Sequence, residues 1–248
     1  ASIADLGHVI ICFENISELA AIRLEDEQLW DGQAKSSRYQ NFASGSWYIP
    51  DSLRGSETEG TYEGILRSLS EVYRLLHPQL TQFLTEREPR PESMKPADYQ
   101  RTIAARAFDV TRYLLPLAAK TNVGQVVSIR TLEKQITRLL SSQLPELRLI
   151  ADDLKDACQR APMNVWGELS GQSAGMTEPM APTLARHAKP NDYQASVYQE
   201  LGRYAKEALK GTGLDQPSTW GEQDTVELIE GHDPIDEVVT TLLYRVSH

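Results

Sequence analysis

The sequence predicts an α+β fold that is rich in helices and has an antiparallel or mixed sheet at its centre. Segments with strand character are short and few, and the stretches between them are long and place apolar residues at helical spacing. The chain has 248 residues, of which 40% are hydrophobic and 24% charged, so it can bury a core without disulfides or metals. No internal repeat is present, and we expect residues 1–248 to form a single domain.

Three segments are predicted to form strands. Residues 9–13 are an apolar, β-branched run that is bounded by Gly7 and Asn15, as expected of a buried strand. Residues 46–49 are a second short apolar run, and residues 225–229 alternate between polar and apolar side chains. Because long helical stretches separate these strands, a regular series of parallel strands and helices is excluded.

Seven helices are predicted from apolar residues that recur at helical spacing. They span residues 17–30, 61–87, 96–117, 128–142, 145–160 and 192–210, with a final helix from residue 233. Ser17 is expected to cap the first helix, and a kink is expected near Pro78 in the second. Residues 31–46 are predicted as an ordered loop and residues 161–190, which are rich in Pro, Gly, Met and Ser, as a loop or a gap.

The charge balance excludes some classes of partner. Lys and Arg total 25 against 35 Asp and Glu, a formal net charge of −10, so general electrostatic binding of DNA or RNA polymers is not expected. An anionic ligand must therefore be held by a few arginines at a local site. No apolar run approaches about 20 residues, which argues against a membrane span. No signal-peptide pattern is present, so the expected location is the cytoplasm.

Cysteine and histidine usage argues against nucleophilic and metal chemistry. Cys12 lies in an apolar strand and Cys158 near a helix end, and neither has a recognisable histidine partner. The histidines are scattered along the chain without the spacing of metal ligands. We therefore expect neither a disulfide framework nor a bound metal.

Basic residues on one predicted helix form a stripe. In the helix over residues 128–142, Arg130, Lys134 and Arg138 fall within an arc of about 80°, opposite the apolar side chains. Such a stripe is either a solvated basic face or a surface that meets an anionic ligand, and helical spacing does not distinguish the two.

Arg112 and a polar loop are further candidates for an anion site. Arg112 lies in an otherwise apolar helix end, where its guanidinium must find an anion, with Asp109 as one available partner, or reach solvent. The loop over residues 32–39 combines glycine, hydroxyl side chains and two cations, a composition that can bind a phosphate. It has neither the Walker A spacing nor a Gly-x-Gly-x-x-Gly pattern, so it is neither a P-loop nor a Rossmann turn.

Several short motifs follow one another along the chain. They are Ala1-Ser2-Ile3 before the first strand, Ser36-Ser37-Arg38-Tyr39 followed by Trp47-Tyr48-Ile49-Pro50, and Arg112-Tyr113-Leu114-Leu115-Pro116 followed by Arg130, Arg138 and Glu146-Leu147-Arg148. In this order and spacing, the motifs resemble the flavin-dependent thymidylate synthase family over roughly residues 1–50 and 104–160. The resemblance implies the helix-rich α+β fold of that family.

The resemblance also implies a site for a nucleotide and a flavin. The implied nucleotide-binding residues are Ser36, Ser37, Arg38, Arg112 and Arg138, of which Arg138 would be catalytic. The implied FAD contacts are Ser2, Ser128 and Arg130. The family works as a homotetramer, so these sites would be built between subunits.

The reaction implied by the resemblance is methylation at C5 of a uridine monophosphate, dUMP or UMP. Carbon would come from methylenetetrahydrofolate, and electrons would come from NADPH through FAD. Because the flavin delivers hydride, no cysteine nucleophile is required, and the protein supplies positioning and electrostatics.

The chain departs from the family at the start of its signature motif. The family has an Arg-His-Arg triplet where this chain has Asp26, Glu27 and Gln28, and a glutamate where it has Ala34. Acids beside the flavin would repel its phosphates, whereas the arginines on the nucleotide side are retained. Three functions stay open: FAD-dependent methylation, with UMP as the substrate in divergent members; nucleotide binding by a catalytically inactive homologue; and a structural or interaction role in which the arginines are solvated.

Overall fold

The computed structural model describes residues 5–42, 46–162 and 178–210. In these ranges the elements follow in the order β1 (His8–Ser17), α1 (Glu18–Glu25), β2 (Trp30–Ala34), α2 (Glu59–Arg87), α3 (Pro96–Thr111), β3 (Lys120–Ser128), α4 (Ile129–Leu140), α5 (Pro145–Cys158), α6 (Pro182–His187) and α7 (Asp192–Leu209). Helices predominate and the strands form an antiparallel sheet, which confirms the predicted α+β class. Ser2, the strand predicted at residues 225–229, the helix predicted from residue 233 and much of the 161–190 segment lie outside the described residues.

The described residues form a sheet of three strands in the order β1-β3-β2, and both pairings are antiparallel. Of these three strands β3 is central, although it is the last of them in the sequence. The pairing of β1 shifts between Phe13 and Ile16, and Asn15 adopts a positive φ of 59° in this bulge. Asn tolerates the left-handed conformation better than most residues, which lets β1 continue to Ser17 instead of ending at Phe13 as predicted.

One face of the sheet carries the main hydrophobic core. Val123 and Val127 of β3 belong to the same buried cluster as residues of α1, α4 and α5. Leu132, Ile136 and Leu139 on α4 are completely buried in this cluster. These three residues form the apolar stripe that helical spacing predicts, and the basic residues of α4 therefore lie away from the core.

A partly buried contact links the start of α1 to α5. Ser17 caps α1 as predicted, because its Oγ accepts a hydrogen bond from the Ala20 amide at 3.0 Å. The Glu146 carboxylate in the first turn of α5 accepts two more hydrogen bonds, from the Ser17 amide at 2.8 Å and from Ser17 Oγ at 2.6 Å. The end of β1 is thereby fixed against α5.

The strands differ from the prediction in three places. Residues 30–34 form β2 within a segment that the sequence predicts as helix end and loop, and residues 46–49 contribute only an isolated bridge at Trp47. β3 is absent from the prediction because Thr121 and Gln125 occupy buried positions on its inner face. Polar residues at such positions interrupt the alternation of apolar and polar side chains on which strand prediction depends.

The predicted helices that fall within the described residues are present, but several of their ends differ. α2 continues through Pro78 to Arg87, and a short helix, α6, forms inside the segment that is predicted as loop. α3 ends at Thr111 and is followed by a single 3-10 turn, whereas the sequence predicts helix to residue 117. Leu115 is extended there because the helical conformation is disfavoured for a residue that precedes proline.

α2 and α3 pack against each other around a small second cluster that includes Leu84 and Ile103. Elsewhere between these two helices, the ring of His77 on α2 packs against the ring of Phe108 on α3, with the ring centroids 4.0 Å apart. His77 Nε2 is buried and makes no hydrogen bond. Burial lowers the pKa of His77, and a hydrogen bond with the backbone of Ala104 opposes this shift only in part. His77 is therefore neutral in the folded protein at pH 7.

We expect the free energy of unfolding to decrease as the pH falls below about 6.5, the ordinary pKa of histidine. In that range the unfolded chain protonates His77 more readily than the folded protein does, so acid favours unfolding. The contribution is fully present above this pH and is lost as the pH approaches the lowered pKa of the folded state. Urea unfolding between about pH 5 and 8 measures it.

The variant His77→Gln is expected to show a weaker dependence of stability on pH than the wild type, because it has no imidazole between α2 and α3. His8→Gln is the matched control, since it removes an exposed imidazole. An unchanged pH dependence in His77→Gln would contradict the assignment to His77.

Candidate functional site

Two arginines that are far apart in the sequence meet at one carboxylate. Arg38 lies in the loop after β2, Arg112 begins the turn that follows α3, and Asp109 lies in the last turn of α3. Arg38 Nη2 donates a hydrogen bond to Asp109 Oδ2 at 2.8 Å, and Arg112 Nη2 lies 3.3 Å from Asp109 Oδ1. We call Arg38, Asp109 and Arg112 the bridged arginine pair.

Backbone contacts turn the chain immediately after β2 and place Arg38. Ser36 Oγ accepts a hydrogen bond from the Arg38 amide at 3.3 Å, and the Ser36 carbonyl accepts one from the Gln40 amide at 3.1 Å. The Lys35 amide donates to the carbonyl of Asn122 at 2.9 Å, which ties the start of this turn to β3. The turn therefore directs Arg38 toward α3, with both predicted serines, Ser36 and Ser37, in the same half-buried segment.

Each arginine of the pair is followed by an exposed tyrosine. Tyr39 is 68% exposed and Tyr113 82% exposed. The guanidinium carbon lies 6.0 Å from the Tyr39 ring centroid in Arg38 and 5.6 Å from the Tyr113 ring centroid in Arg112. The arginine side chains are themselves 50% and 35% exposed. This surface presents positive charge beside aromatic rings, which suits an anionic group attached to a planar ring.

A cavity of about 600 Å³ lies at the start of α4. Its walls include Ser128 and Arg130, together with Glu27 and Gln28 from the segment that aligns with the Arg-His-Arg triplet. The other lining residues are Asp5, His8, Leu29, Trp30, Asp31, Val126, Val127, Thr131 and Lys134. The structure therefore brings Ser128 and Arg130 together with Glu27 and Gln28, whereas Asp26, the first of the three aligned residues, does not line the cavity.

The α4 wall of this cavity suits an anion. Ser128 caps α4, because its Oγ accepts a hydrogen bond from the Thr131 amide at 3.2 Å. The helix therefore begins at the cavity, where its positive dipole end favours negative charge. Arg130 and Lys134 from the first two turns line the same cavity and add two cations.

Ion pairs offset the acids of the cavity. Asp5 pairs with Arg130, and Glu27 Oε2 lies 3.4 Å from Arg138 Nη2. The remaining charged side chains of the lining are Lys134 and Asp31. The three acids of the lining are thus matched by its two cations only when Arg138, which pairs with Glu27 from outside the lining, is counted with them.

Arg138 has other partners than the bridged arginine pair within one chain. Arg138 Nη1 donates a hydrogen bond to the carbonyl of Arg23 at 3.0 Å, and its ion pair is with Glu27. The predicted nucleotide-binding residues that do come together are Ser36, Ser37, Arg38 and Arg112. The sequence offers Asp109 as one available partner of Arg112, with exposure to solvent as the alternative, but no sequence signal indicates that Arg38 shares this carboxylate.

Neither a group of metal ligands nor a membrane-spanning helix is found in the part of the chain that the structure describes. Within residues 5–42, 46–162 and 178–210, no three His, Cys, Asp or Glu side chains are grouped as metal ligands would be. No helix in the same ranges combines the length and apolar character of a membrane-spanning segment.

Related proteins of Chlamydia were found by sequence comparison. A UPF0159 protein of Chlamydia pneumoniae is 26% identical over 260 residues, which cover 100% of this chain and 45% of that protein. A UPF0159 protein of Chlamydia muridarum is 29% identical over 157 residues, or 61% of this chain and 30% of that protein. The chain thus spans less than half the length of these relatives.

Two solved structures are similar to the chain at low identity. Thymidylate synthase X from Helicobacter pylori, solved with FAD and dUMP, has 18% identity and a TM-score of 0.40, over 63% of this chain and 69% of that one. The UMP/dUMP methylase PolB from Streptomyces cacaoi, bound with 5-Br dUMP, has 15% identity and a TM-score of 0.38, over 65% and 67%.

A protein-family model also matches the chain. Residues 1–162, well over half of the chain, match the family described as thymidylate synthase complementing protein. This range includes β1 to α5, and therefore the bridged arginine pair and the cavity. The resemblance seen in the motifs is thereby confirmed, and the chain belongs to the thymidylate synthase complementing protein family.

Proposed function

We propose that the chain binds a uridine monophosphate, dUMP or UMP, at the bridged arginine pair and serves its FAD-dependent methylation at C5. The observation that carries the proposal is the meeting of Arg38 and Arg112 at Asp109, which is 71 positions from Arg38 in the sequence. These are two of the arginines that the resemblance assigns to the nucleotide. Methylenetetrahydrofolate is the proposed carbon donor, and NADPH is the proposed reductant.

A nucleotide phosphate suits the bridged arginine pair for electrostatic reasons. Each guanidinium has five N–H donors and directs a single nitrogen, Nη2, at Asp109. The other guanidinium nitrogens of Arg38 and Arg112 therefore remain available for charge-assisted hydrogen bonds with a phosphate. The two arginines and one carboxylate have a net charge of about +1, and the adjacent tyrosines offer a surface for the pyrimidine.

One wall of the cavity at the start of α4 suits the diphosphate of FAD. Ser128, Arg130 and Lys134 would hold the diphosphate there, because two cations and the N-terminus of a helix favour an anion. Trp30 also lines the cavity and offers an aromatic surface on which a flavin or adenine ring packs. When bound, FAD supplies the hydride for the reaction.

Arg138 is the proposed catalytic residue, and its guanidinium would stabilise negative charge that develops on the pyrimidine ring. In one chain it lies beside the cavity and not at the bridged arginine pair. We propose that Arg138 reaches the nucleotide of a neighbouring subunit, in a homotetramer whose sites are built between subunits. We propose that this assembly works in the cytoplasm.

A second candidate function is nucleotide binding without catalysis. It is favoured by the acids around the cavity, since Asp5 engages Arg130 and Glu27 engages Arg138. A flavin diphosphate has to compete with Asp5 for Arg130, and Glu27 adds a further negative charge to the cavity wall. In this alternative the bridged arginine pair binds the nucleotide, while the flavin side of the site has lost its function.

Three measurements on the purified protein test these proposals. Calorimetric titration with UMP and dUMP tests nucleotide binding, and the visible absorbance of the protein with added FAD tests flavin binding. Release of tritium from nucleotide labelled at C5 tests the reaction in the presence of methylenetetrahydrofolate and NADPH. Nucleotide binding without tritium release supports the second candidate, and absence of nucleotide binding overturns both.

The variant Glu27→Gln is expected to bind FAD about 3- to 10-fold more tightly than the wild type. Removing this carboxylate takes one negative charge from the cavity wall and releases Arg138 from its ion pair. Quenching of flavin fluorescence during titration measures the affinity.

Asp26→Asn is the matched control for Glu27→Gln. It removes the same charge one residue away, but Asp26 pairs with Arg23 at 3.2 Å and is not among the residues that line the cavity. We expect the affinity of this control for FAD to stay close to that of the wild type. Equal gains in both variants would indicate a general charge effect and contradict a specific role of Glu27.

A further inference from the structure

Asp109 has an unusual environment for a surface carboxylate. Its side chain is 33% exposed, and Oδ1 is buried and accepts no hydrogen bond of good geometry, although Arg112 Nη2 lies 3.3 Å away. Oδ2 accepts the hydrogen bond from Arg38 at 2.8 Å. One oxygen thus faces each guanidinium, and neither oxygen is satisfied by another group among the described residues.

A phosphate site made of two arginines needs a counter-ion when the phosphate is absent, and Asp109 supplies it. Two guanidiniums close enough to share one phosphate repel each other when the phosphate is absent. Arg38 lies in a loop, so this repulsion would move it away from α3. Asp109 offsets the repulsion and holds both cations at one place before any ligand arrives.

Asp109 is not placed as a mobile competitor of the ligand. It lies within a helical turn of α3, and Arg112 follows it by three residues, so their side chains share one side of the chain. Each guanidinium contacts it through Nη2 alone, which leaves the other nitrogens of both arginines directed elsewhere. A phosphate can therefore bind both arginines while the carboxylate stays in position.

We propose that Asp109 is a positioning residue that holds Arg38 and Arg112 ready to bind the phosphate of the nucleotide. This inference rests on the proposed function of the bridged arginine pair. Asp109 acts through the two arginines and does not touch the nucleotide. Its removal therefore affects ligands that carry a phosphate and spares those that do not.

The experiment compares three ligands and a double-mutant cycle. UMP, inorganic phosphate and uridine are titrated into the wild type, Asp109→Asn, Arg38→Ala and the double variant. We expect Asp109→Asn to weaken the binding of UMP and of phosphate about fivefold or more, and to leave the binding of uridine unchanged. In the Arg38→Ala background, the same substitution is expected to change UMP binding by less than about twofold, because one of its two partners is gone.

Two further variants keep the test specific. Asp98→Asn is the matched control, because Asp98 also lies on α3 and pairs with an arginine three residues later, Arg101. We expect it to bind UMP as the wild type does. Asp109→Glu retains the charge and is expected to recover part of the affinity that Asp109→Asn loses. Thermal unfolding of each variant establishes that the fold is kept.

The outcomes separate this inference from the function on which it rests. Tighter binding of UMP by Asp109→Asn would show that the carboxylate competes with the phosphate, and it would overturn the positioning role. An equal loss for UMP and uridine, or an undiminished loss in the Arg38→Ala background, would also overturn it. If the wild type binds neither UMP nor phosphate, the proposed function itself fails. If the wild type binds both and Asp109→Asn is unaltered, only the role of Asp109 fails.

Discussion

Replacing Arg112 with alanine is expected to weaken the binding of UMP and dUMP about 10- to 100-fold. Hydrogen bonds between a guanidinium and a phosphate are charge-assisted and stronger than those between neutral groups. Arg112 is one of the two arginines at the proposed phosphate site, so its loss removes half of the positive charge there. It also leaves Asp109 with a single cation, which lowers the net charge of the site to about zero. Calorimetric titration of both nucleotides measures the effect.

Arg101→Ala is the matched control for Arg112→Ala. Arg101 lies on α3, which ends immediately before Arg112, and it pairs with an aspartate three residues earlier, as Arg112 does, but it is 80% exposed. The two arginines are about 16 Å apart along the helix axis at the usual rise per residue. We expect Arg101→Ala to keep the wild-type affinity, and similar losses in both variants would place the nucleotide elsewhere.

Replacing Gly32 with alanine is expected to lower the free energy of unfolding by about 1–3 kcal/mol. A Cβ atom at this position would lie 2.1 Å from the carbonyl oxygen of Gly124 and 2.3 Å from Cζ3 of Trp30. The carbonyl belongs to the backbone of β3, so β2 has to move away from its partner strand. Because Trp30 lines the cavity, the affinity for FAD should decrease together with the stability.

Gly124→Ala is the control within the same sheet. An added Cβ at Gly124 meets nothing closer than the carbonyl oxygen of Gln33 at 3.9 Å, an ordinary contact distance. We expect its stability in urea unfolding to stay within about 0.5 kcal/mol of the wild type. Equal stability of the Gly32→Ala and Gly124→Ala variants would contradict the close approach of β2 to β3.

The parts of the fold that the sequence predicts are those whose signals are local. α4 is predicted because its buried residues recur at helical spacing, and the cap of α1 is predicted because Ser17 precedes an apolar run. β3 is not predictable in this way, since Gln125 is buried at an inner position and only its neighbours across the sheet make that position internal. β2 is missed by the prediction for a similar reason. Position 32 needs a glycine because the backbone of β3 approaches it closely, and this contact is not local in the sequence.

The candidate site shows the same division between local and distant contacts. The pairing of Arg112 with Asp109 follows from a spacing of three residues within one helical stretch. The contact of Arg38 with the same carboxylate depends on how the loop after β2 meets α3, and no spacing in the sequence encodes it. Arg138 shows the limit of a helical wheel, which identifies the side of the helix but not the ion pair with Glu27.

The order of the three strands also bears on how the protein is made. β1 and β2 do not pair with each other, and residues 35–119 are synthesised before the strand that joins them. At about 5–20 residues per second, this takes roughly 4–17 s on the ribosome. Throughout that interval the backbone N–H and C=O groups along the edges of β1 and β2 lack their partner strand. Such edges promote association with other nascent chains. The yield of folded protein should therefore respond to translation speed across α2 and α3, and to chaperones that shield β1 until β3 arrives.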